Sequence, residues 1–167
     1  MSAVQTVVLN ETQVRQKIDR ISFEIYENHY TEKEIIIGGI EGNGLKLAEM
    51  IAERLTKLSD IKITLISVLI NKDNPLESEP IVQLTPNEIE GKVVVLVDDV
   101  LNSGKTLIYG IKYFLKARLK ALRTVALIDR NHKRFPVKAD FVGLSLSTTL
   151  QEHVRVNLED NIGVYLE

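Results

Sequence analysis

Apolar residues recur along this chain with two different periods. Val14, Ile18, Ile21 and Ile25 fall three or four apart, and Asn10 followed by Gln13 forms a capping-box pattern, so the spacing predicts a helix over about Glu11 to Glu27. Val4 to Leu9, just before it, reads as a short strand. The triplet Ile35-Ile36-Ile37 reads as a buried strand that ends at Gly38-Gly39 in a loop, Glu41-Gly42-Asn43-Gly44. Leu45, Ala48, Ile51, Ala52 and Leu55 then return to helical spacing. β-Branched runs at Ile61 to Ile70 and Lys92 to Val97 predict strands, a helix is expected from about Gly104 to Leu119, and strands near Thr124 to Ile128 and Phe141 to Leu144. His153 to Leu158 and Gly163 to Leu166 alternate on either side of Asp160-Asn161, as in a closing hairpin.

Strands that alternate with helices, several of them apolar on both faces, imply an α/β fold with a parallel central sheet flanked by helices. The N-terminal strand and the closing hairpin are expected to form a small hood. In such sheets ligands collect at the carboxyl ends of the strands. Asn71 to Gly91 fits no element: it carries three of the four prolines and five carboxylates, and is expected to be a flexible lid over a site at the neighbouring strand ends.

The length of 167 residues and a hydrophobic content of 44% suit one domain spanning 1–167, which hides roughly 70% of its surface on folding. With 21 basic and 23 acidic side chains the net charge is −2, so no global positive field draws in nucleic acid. No apolar run approaches the ~20 residues of a membrane helix, and Met1 to Asn10 lacks the pattern of a signal peptide. There is no cysteine, hence no disulfide, thiolate nucleophile or sulfur-ligated zinc. The cytoplasm is the expected compartment, with no membrane partner.

The densest chemistry lies in Val93-Val94-Val95-Leu96-Val97-Asp98-Asp99-Val100-Leu101-Asn102-Ser103-Gly104-Lys105-Thr106. A buried strand delivers two adjacent carboxylates, and a turn of small polar residues opens the next helix. Backbone N–H groups there, with the positive end of the helix dipole, form a phosphate cradle to which Ser103 and Thr106 add hydroxyls. Gly104-Lys105-Thr106 resembles the end of a nucleotide-binding P-loop, but that loop requires glycine where this chain has Asp99. A ligand with one phosphate and a sugar diol uses every residue: the turn grips the phosphate, and Asp98 and Asp99 accept from the two hydroxyls. The same pair is suited to Mg²⁺, which takes one or two carboxylates plus substrate oxygens.

This string resembles the signature of the type I phosphoribosyltransferases, in which it binds the ribose hydroxyls and 5′-phosphate of phosphoribosyl pyrophosphate. The resemblance extends over nearly the whole chain to one branch, the bifunctional pyrimidine-operon attenuators and uracil phosphoribosyltransferases. Leu127-Ile128-Asp129-Arg130-Asn131-His132-Lys133-Arg134-Phe135-Pro136-Val137-Lys138-Ala139-Asp140-Phe141-Val142-Gly143 is similar to that branch's LVDRGHRELPIRADxxG segment; the first helix, Glu79-Pro80 and the closing hairpin also line up. The resemblance implies the type I fold, Mg²⁺-dependent transfer of ribose 5-phosphate to a nucleobase with release of pyrophosphate, and a homo-oligomer.

Carried over residue by residue, the resemblance makes Asp98 and Asp99 catalytic and metal-binding. Val100, Leu101, Asn102, Ser103, Gly104, Lys105 and Thr106 become the donor's phosphate turn. Gly39 and the loop Glu41, Gly42, Asn43, Gly44 stand where pyrophosphate binds; the branch has Lys-Thr-Arg-Gly there, whereas this chain has no cation. Asn71-Lys72 replaces the lid's Tyr-Arg, leaving Lys72 as the cation for the departing pyrophosphate. Arg130 and Val142 are expected at the base pocket, where Gly143-Leu144 replaces the branch's Gly-Lys. Asn102 stands where purine enzymes carry aspartate and the pyrimidine branch tyrosine; an amide cannot take a ring proton, which favours uracil or a related pyrimidine.

Two other readings remain: a non-catalytic sensor of phosphoribosyl pyrophosphate or a nucleotide, with a regulatory role toward RNA or protein, and a purine phosphoribosyltransferase. Arg15, Arg20, His132, Lys133 and Lys138 match some of the branch's basic RNA-facing positions, while Phe23 and Asn28 replace others, so RNA binding is expected to be weakened. Lys112, Lys116 and Lys120 form a further basic stripe at helical spacing. Gly143-Leu144-Ser145-Leu146-Ser147 misses the serine-hydrolase elbow by its last residue, and His29, His132 and His153 lack metal-ligand spacing.

Overall fold

The computed structural model describes residues 4–167; Met1 to Ala3, the start of the expected domain, lie outside the described residues. The elements run β1 (Thr6–Leu9), α1 (Glu11–His29), β2 (Glu34–Ile40), α2 (Asn43–Leu58), β3 (Lys62–Leu69), β4 (Ile81–Val82), α3 (Pro86–Ile89), β5 (Val93–Leu101), α4 (Lys105–Phe114), β6 (Ala121–Asp129), β7 (Phe141–Ser145), β8 (Val154–Asn157) and β9 (Gly163–Leu166). Six strands form the central sheet in the order β4-β3-β2-β5-β6-β7, all parallel except the two-residue β4. β1, β9 and β8 form a separate antiparallel hood.

The alternation of β2 and β5 explains the two layers. Ile35, Ile37, Val93, Val95 and Val97 face one cluster with Val14, Ile18, Ile21 and Ile25 of α1, Leu47, Ile51 and Leu55 of α2, and Val154, Val156 and Val164 of the hood. Ile36, Ile40, Val94 and Leu96 face the other, with Leu107 and Phe114 of α4 and Ile89 of α3. Both faces of the sheet are thus covered, as the uninterrupted apolar strands required. α1 starts at the expected capping box, in which the Asn10 side chain accepts from the Gln13 amide at 2.9 Å and Gln13 returns the bond.

The structure corrects four expectations. β2 does not stop at the glycines but continues through Gly38-Gly39 to Ile40, because both pair in the ladder between β3 and β5. Asn43 and Gly44 consequently already belong to α2, and the loop shrinks to Glu41-Gly42. α4 ends at Phe114 rather than Leu119: Leu115 is 65% exposed, and the following residues turn back so that the Arg118 carbonyl accepts from Gly91 N–H and the Lys120 N–H reaches the Lys92 carbonyl. The Lys112-Lys116-Lys120 stripe therefore does not exist; Lys116 pairs with Glu79 and Lys120 with Glu32.

The fourth correction concerns 71–91, which is not uniformly irregular. Its second half carries β4, paired to the end of β3, and the short α3 with Thr85 as its cap, while Ile89 is fully buried. The stretch before β4 has no regular element, and a short connection at 83–85 separates β4 from α3. Among the described residues no helix is long and apolar enough to cross a membrane.

Candidate active site

β5 continues past Val97 to Leu101, so both acids lie on the strand rather than beyond it. Asp98 is 6% exposed. Its Oδ1 accepts the Asp99 backbone N–H at 2.9 Å. Burial and then the neighbouring Asp99 carboxylate push the Asp98 carboxyl up to about 8, against the opposing pull of the Lys72 ammonium. Gly44 explains how α2 approaches so closely: a Cβ there would stand 3.0 Å from the Val97 carbonyl and 3.2 Å from Asp98 Oδ1. Glycine at 44 therefore lets the first turn of α2 lie against the acid.

Asp98, Val100, Leu101, Asn102, Ser103, Gly104, Lys105, Thr106 and Leu107 line one cavity of about 50 Å³, a few water volumes and enough for a tetrahedral anion. Asp99, half-buried, is not part of its wall. Gly104 caps α4 at φ +85°, in the left-handed region, and an added Cβ would collide with Val137. The turn is braced from outside: the N–H groups of Arg134 and Phe135 both donate to the Ser103 carbonyl, at 2.8 and 3.0 Å. Ser103 Oγ accepts from Lys105 N–H at 3.2 Å, which leaves its own proton for a ligand. Such a turn offers donors to an anion, while Asp98 offers oxygens to whatever is attached to it.

The other expected residues are distributed around this cavity. Lys72 is exposed near the start of the 71–80 stretch, whose next residue is tied down by Lys105 Nζ donating to the Asp73 carbonyl at 3.3 Å. Glu41 and Gly42 line a different cavity, with Leu45, Lys46, Glu49, Met50, Leu158 and Glu159. Its one lysine, Lys46, is paired with Glu159 at 2.5 Å. Asn43 reaches away to the hood, its Nδ2 donating to the Val156 carbonyl at 2.9 Å, and Gly39 packs beneath Leu45 and Ala48.

Arg130 donates to the Asn102 Oδ1 and to the loop after β7, which ties it to the turn after β5. The Val142 carbonyl accepts from Arg20 Nη2 at 2.6 Å, and the Gly143 carbonyl does so at 2.7 Å. These long-range bonds, and that of Asn43, had no signal in the sequence, because each partner lies more than a hundred residues away. The basic positions matched to RNA contact are largely engaged: Arg15 pairs with Glu11, Arg20 with Glu24 as well as β7, and Lys133 with Asp129.

Among the described residues no cluster of three or more acids and histidines stands ready for a metal. Two adjacent carboxyls, one buried and reluctant to ionise, nevertheless suit a divalent cation whose remaining ligands come from a bound phosphate or sugar.

Comparison with known proteins agrees with this geometry. Residues 5–160 match the family described as phosphoribosyl transferase domain. The chain is 34% identical to the bifunctional protein PyrR of Haemophilus ducreyi, over 96% of this chain and 94% of that protein. It is also 34% identical, with the same coverage, to the protein of that name from Fusobacterium nucleatum. Among solved structures it resembles a hypoxanthine-guanine phosphoribosyltransferase of Bacillus anthracis, with a TM-score of 0.71 and 20% identity, over 84% of this chain and 81% of that one. The hypoxanthine phosphoribosyltransferase of Trypanosoma cruzi gives a TM-score of 0.71 at 19% identity over the same shares. At that identity the two structures speak to the fold alone.

Proposed function

The chain belongs to the phosphoribosyltransferase family, and from that premise we propose that it transfers ribose 5-phosphate from phosphoribosyl pyrophosphate to uracil or a related pyrimidine. The observation that carries this reading is the cavity lined by Asp98 and residues 100–107, where a donor-rich turn meets a buried acid at the end of the sheet. The turn holds the 5′-phosphate through its N–H groups and the hydroxyls of Ser103 and Thr106. Asp98 and Asp99 take the ribose hydroxyls.

Reaction breaks the bond from the anomeric carbon to a pyrophosphate oxygen and forms one to a ring nitrogen of the base, whose proton passes to the released pyrophosphate or to solvent. Lys72, at the head of the lid, supplies positive charge beside the departing group, and the 71–80 stretch limits water at an electron-poor carbon that water would otherwise capture. Mg²⁺, held by Asp98 and Asp99 with donor oxygens, would when bound neutralise charge on the pyrophosphate.

A second reading, a sensor of phosphoribosyl pyrophosphate or nucleotide with a regulatory partner, is favoured by the segment after β2: Glu41–Gly44 has no cation, Lys46 is drawn to Glu159, and Asn43 is tied to the hood. Pyrophosphate release from the donor and Mg²⁺, measured with a panel of bases, separates the two. Product with uracil supports transfer to a pyrimidine, product only with purines overturns that choice of base, and donor binding without product supports the sensor.

A further inference from the structure

Arg130 makes four side-chain hydrogen bonds, one of them to Asn102 in the turn after β5. Its Nε donates to Thr148 Oγ1 at 2.9 Å, its Nη2 to the carbonyls of Thr149 and Glu152 at 3.2 and 2.7 Å, and its Nη1 to Asn102 Oδ1 at 3.1 Å. Its backbone N–H also donates to the Leu101 carbonyl, at the very end of β5. The receiving loop is itself braced, with Thr149 N–H on Glu152 Oε2 at 2.6 Å and Glu152 N–H on Thr149 Oγ1 at 3.3 Å. A guanidinium held at three other points cannot swing to follow its fourth partner. Asn102 must adapt to it.

Chemistry then decides which way the Asn102 amide faces. Arginine carries donors and no acceptor, so the atom meeting Nη1 has to be the amide oxygen. The amino group is left over, and among the described residues it has no hydrogen-bond partner, while Asn102 itself lines the phosphate cavity. We propose that Arg130 is a positioning residue that locks the Asn102 amide with only its amino group to offer. The mouth of the turn thereby binds a hydrogen-bond acceptor on the ligand, a phosphate oxygen or a base carbonyl, and disfavours an N–H donor. This rests on the reading of the turn as the phosphoribosyl site and adds a selection rule to it.

Titration calorimetry of the full chain with inorganic phosphate, ribose 5-phosphate and uridine 5′-monophosphate tests the rule, alongside the side-chain amide resonance of Asn102. Asn102→Asp keeps the shape and the contact with Arg130 but replaces the donor by an acceptor and adds a negative charge, and its affinity is expected to fall about tenfold or more with an unchanged melting temperature. The uncharged Asn102→Leu, which removes the donor without adding charge, is expected to lose affinity as well, and full affinity in it overturns the rule. Arg130→Gln is expected to cost only a few-fold in affinity, while the Asn102 amide loses the distinct shift that ligand produces in the parent protein. A penalty already present with inorganic phosphate identifies a phosphate oxygen as the acceptor; one seen only with the nucleotide identifies the base. Affinity within twofold of the parent in Asn102→Asp, an amide response that survives in Arg130→Gln, or an Arg130→Gln loss exceeding that of Asn102→Asp each overturns the proposal while leaving the site in place. A parent chain that binds none of the three probes overturns the phosphoribosyl reading itself.

Discussion

The two loops proposed to receive the donor's anionic groups lie at the carboxyl ends of neighbouring strands, β5 and β2, and they are built differently. The turn after β5 is closed, braced by Arg134 and Phe135 on the Ser103 carbonyl, and lined with donors around one buried acid. The segment after β2 has an exposed glutamate at its head, an asparagine committed to the hood and a lysine neutralised by Glu159. The first is organised for an anion before the anion arrives; the second depends on what a ligand, a metal or a moving lid brings to it. On the proposed function, affinity for the sugar phosphate and competence to expel pyrophosphate are expected to be separable.

The largest effect that tests the contrast is expected at the acids. Asp98→Asn together with Asp99→Asn should lower turnover by on the order of a hundredfold or more and weaken donor binding; unchanged steady-state kinetics would remove the β5 turn from the reaction. Gly44→Ala comes next, because its Cβ would meet the Val97 carbonyl and Asp98 Oδ1. A destabilisation of about 1–3 kcal/mol is expected, visible as a lower midpoint in urea, with donor affinity falling alongside it because the acid is displaced.

Glu41→Lys addresses the weaker loop directly. If repulsion there limits the enzyme, the KM for phosphoribosyl pyrophosphate should drop by roughly three- to tenfold while affinity for ribose 5-phosphate stays put; a parallel change in both would mean the loops are not independent. The smallest effect belongs to the sheet rather than to either loop. Lys92, with burial opposing it, holds the Glu34 carboxyl down to about 2, and Lys62 and Thr64 add further bonds. A carboxyl depressed on folding stabilises the protein above its ordinary range, and that contribution fades as pH falls from about 4.5 toward 2. Glu34→Gln should accordingly cost on the order of 1 kcal/mol at neutral pH and progressively less as pH falls toward 2, read from melting curves across that interval, with both loops unaffected.

What the sequence made legible was local. The capping box of α1, the apolar strands and the string from Asp98 to Thr106 depend on neighbours within a few positions, and each has its counterpart in the structure. The limits were set by distant partners. Gly38 and Gly39 read as punctuation until β3 and β5 enclose them. Leu115 and Leu119 extend a helical spacing that the chain abandons, because the bond between Gly91 and Arg118 turns it back toward the sheet. The resemblance assigns Arg130 to the base pocket, and only the position of the loop at 148–152 shows which partners its donors take.

Arg20 carries a consequence of its own. β7 is the last strand on its side of the central sheet, and Arg20 covers two of its carbonyls. An uncovered border strand is a template on which another chain can dock and keep adding. The guanidinium acts as a stopper there, so a protein lacking it would first betray the change by turbidity on concentration, with its pocket still intact.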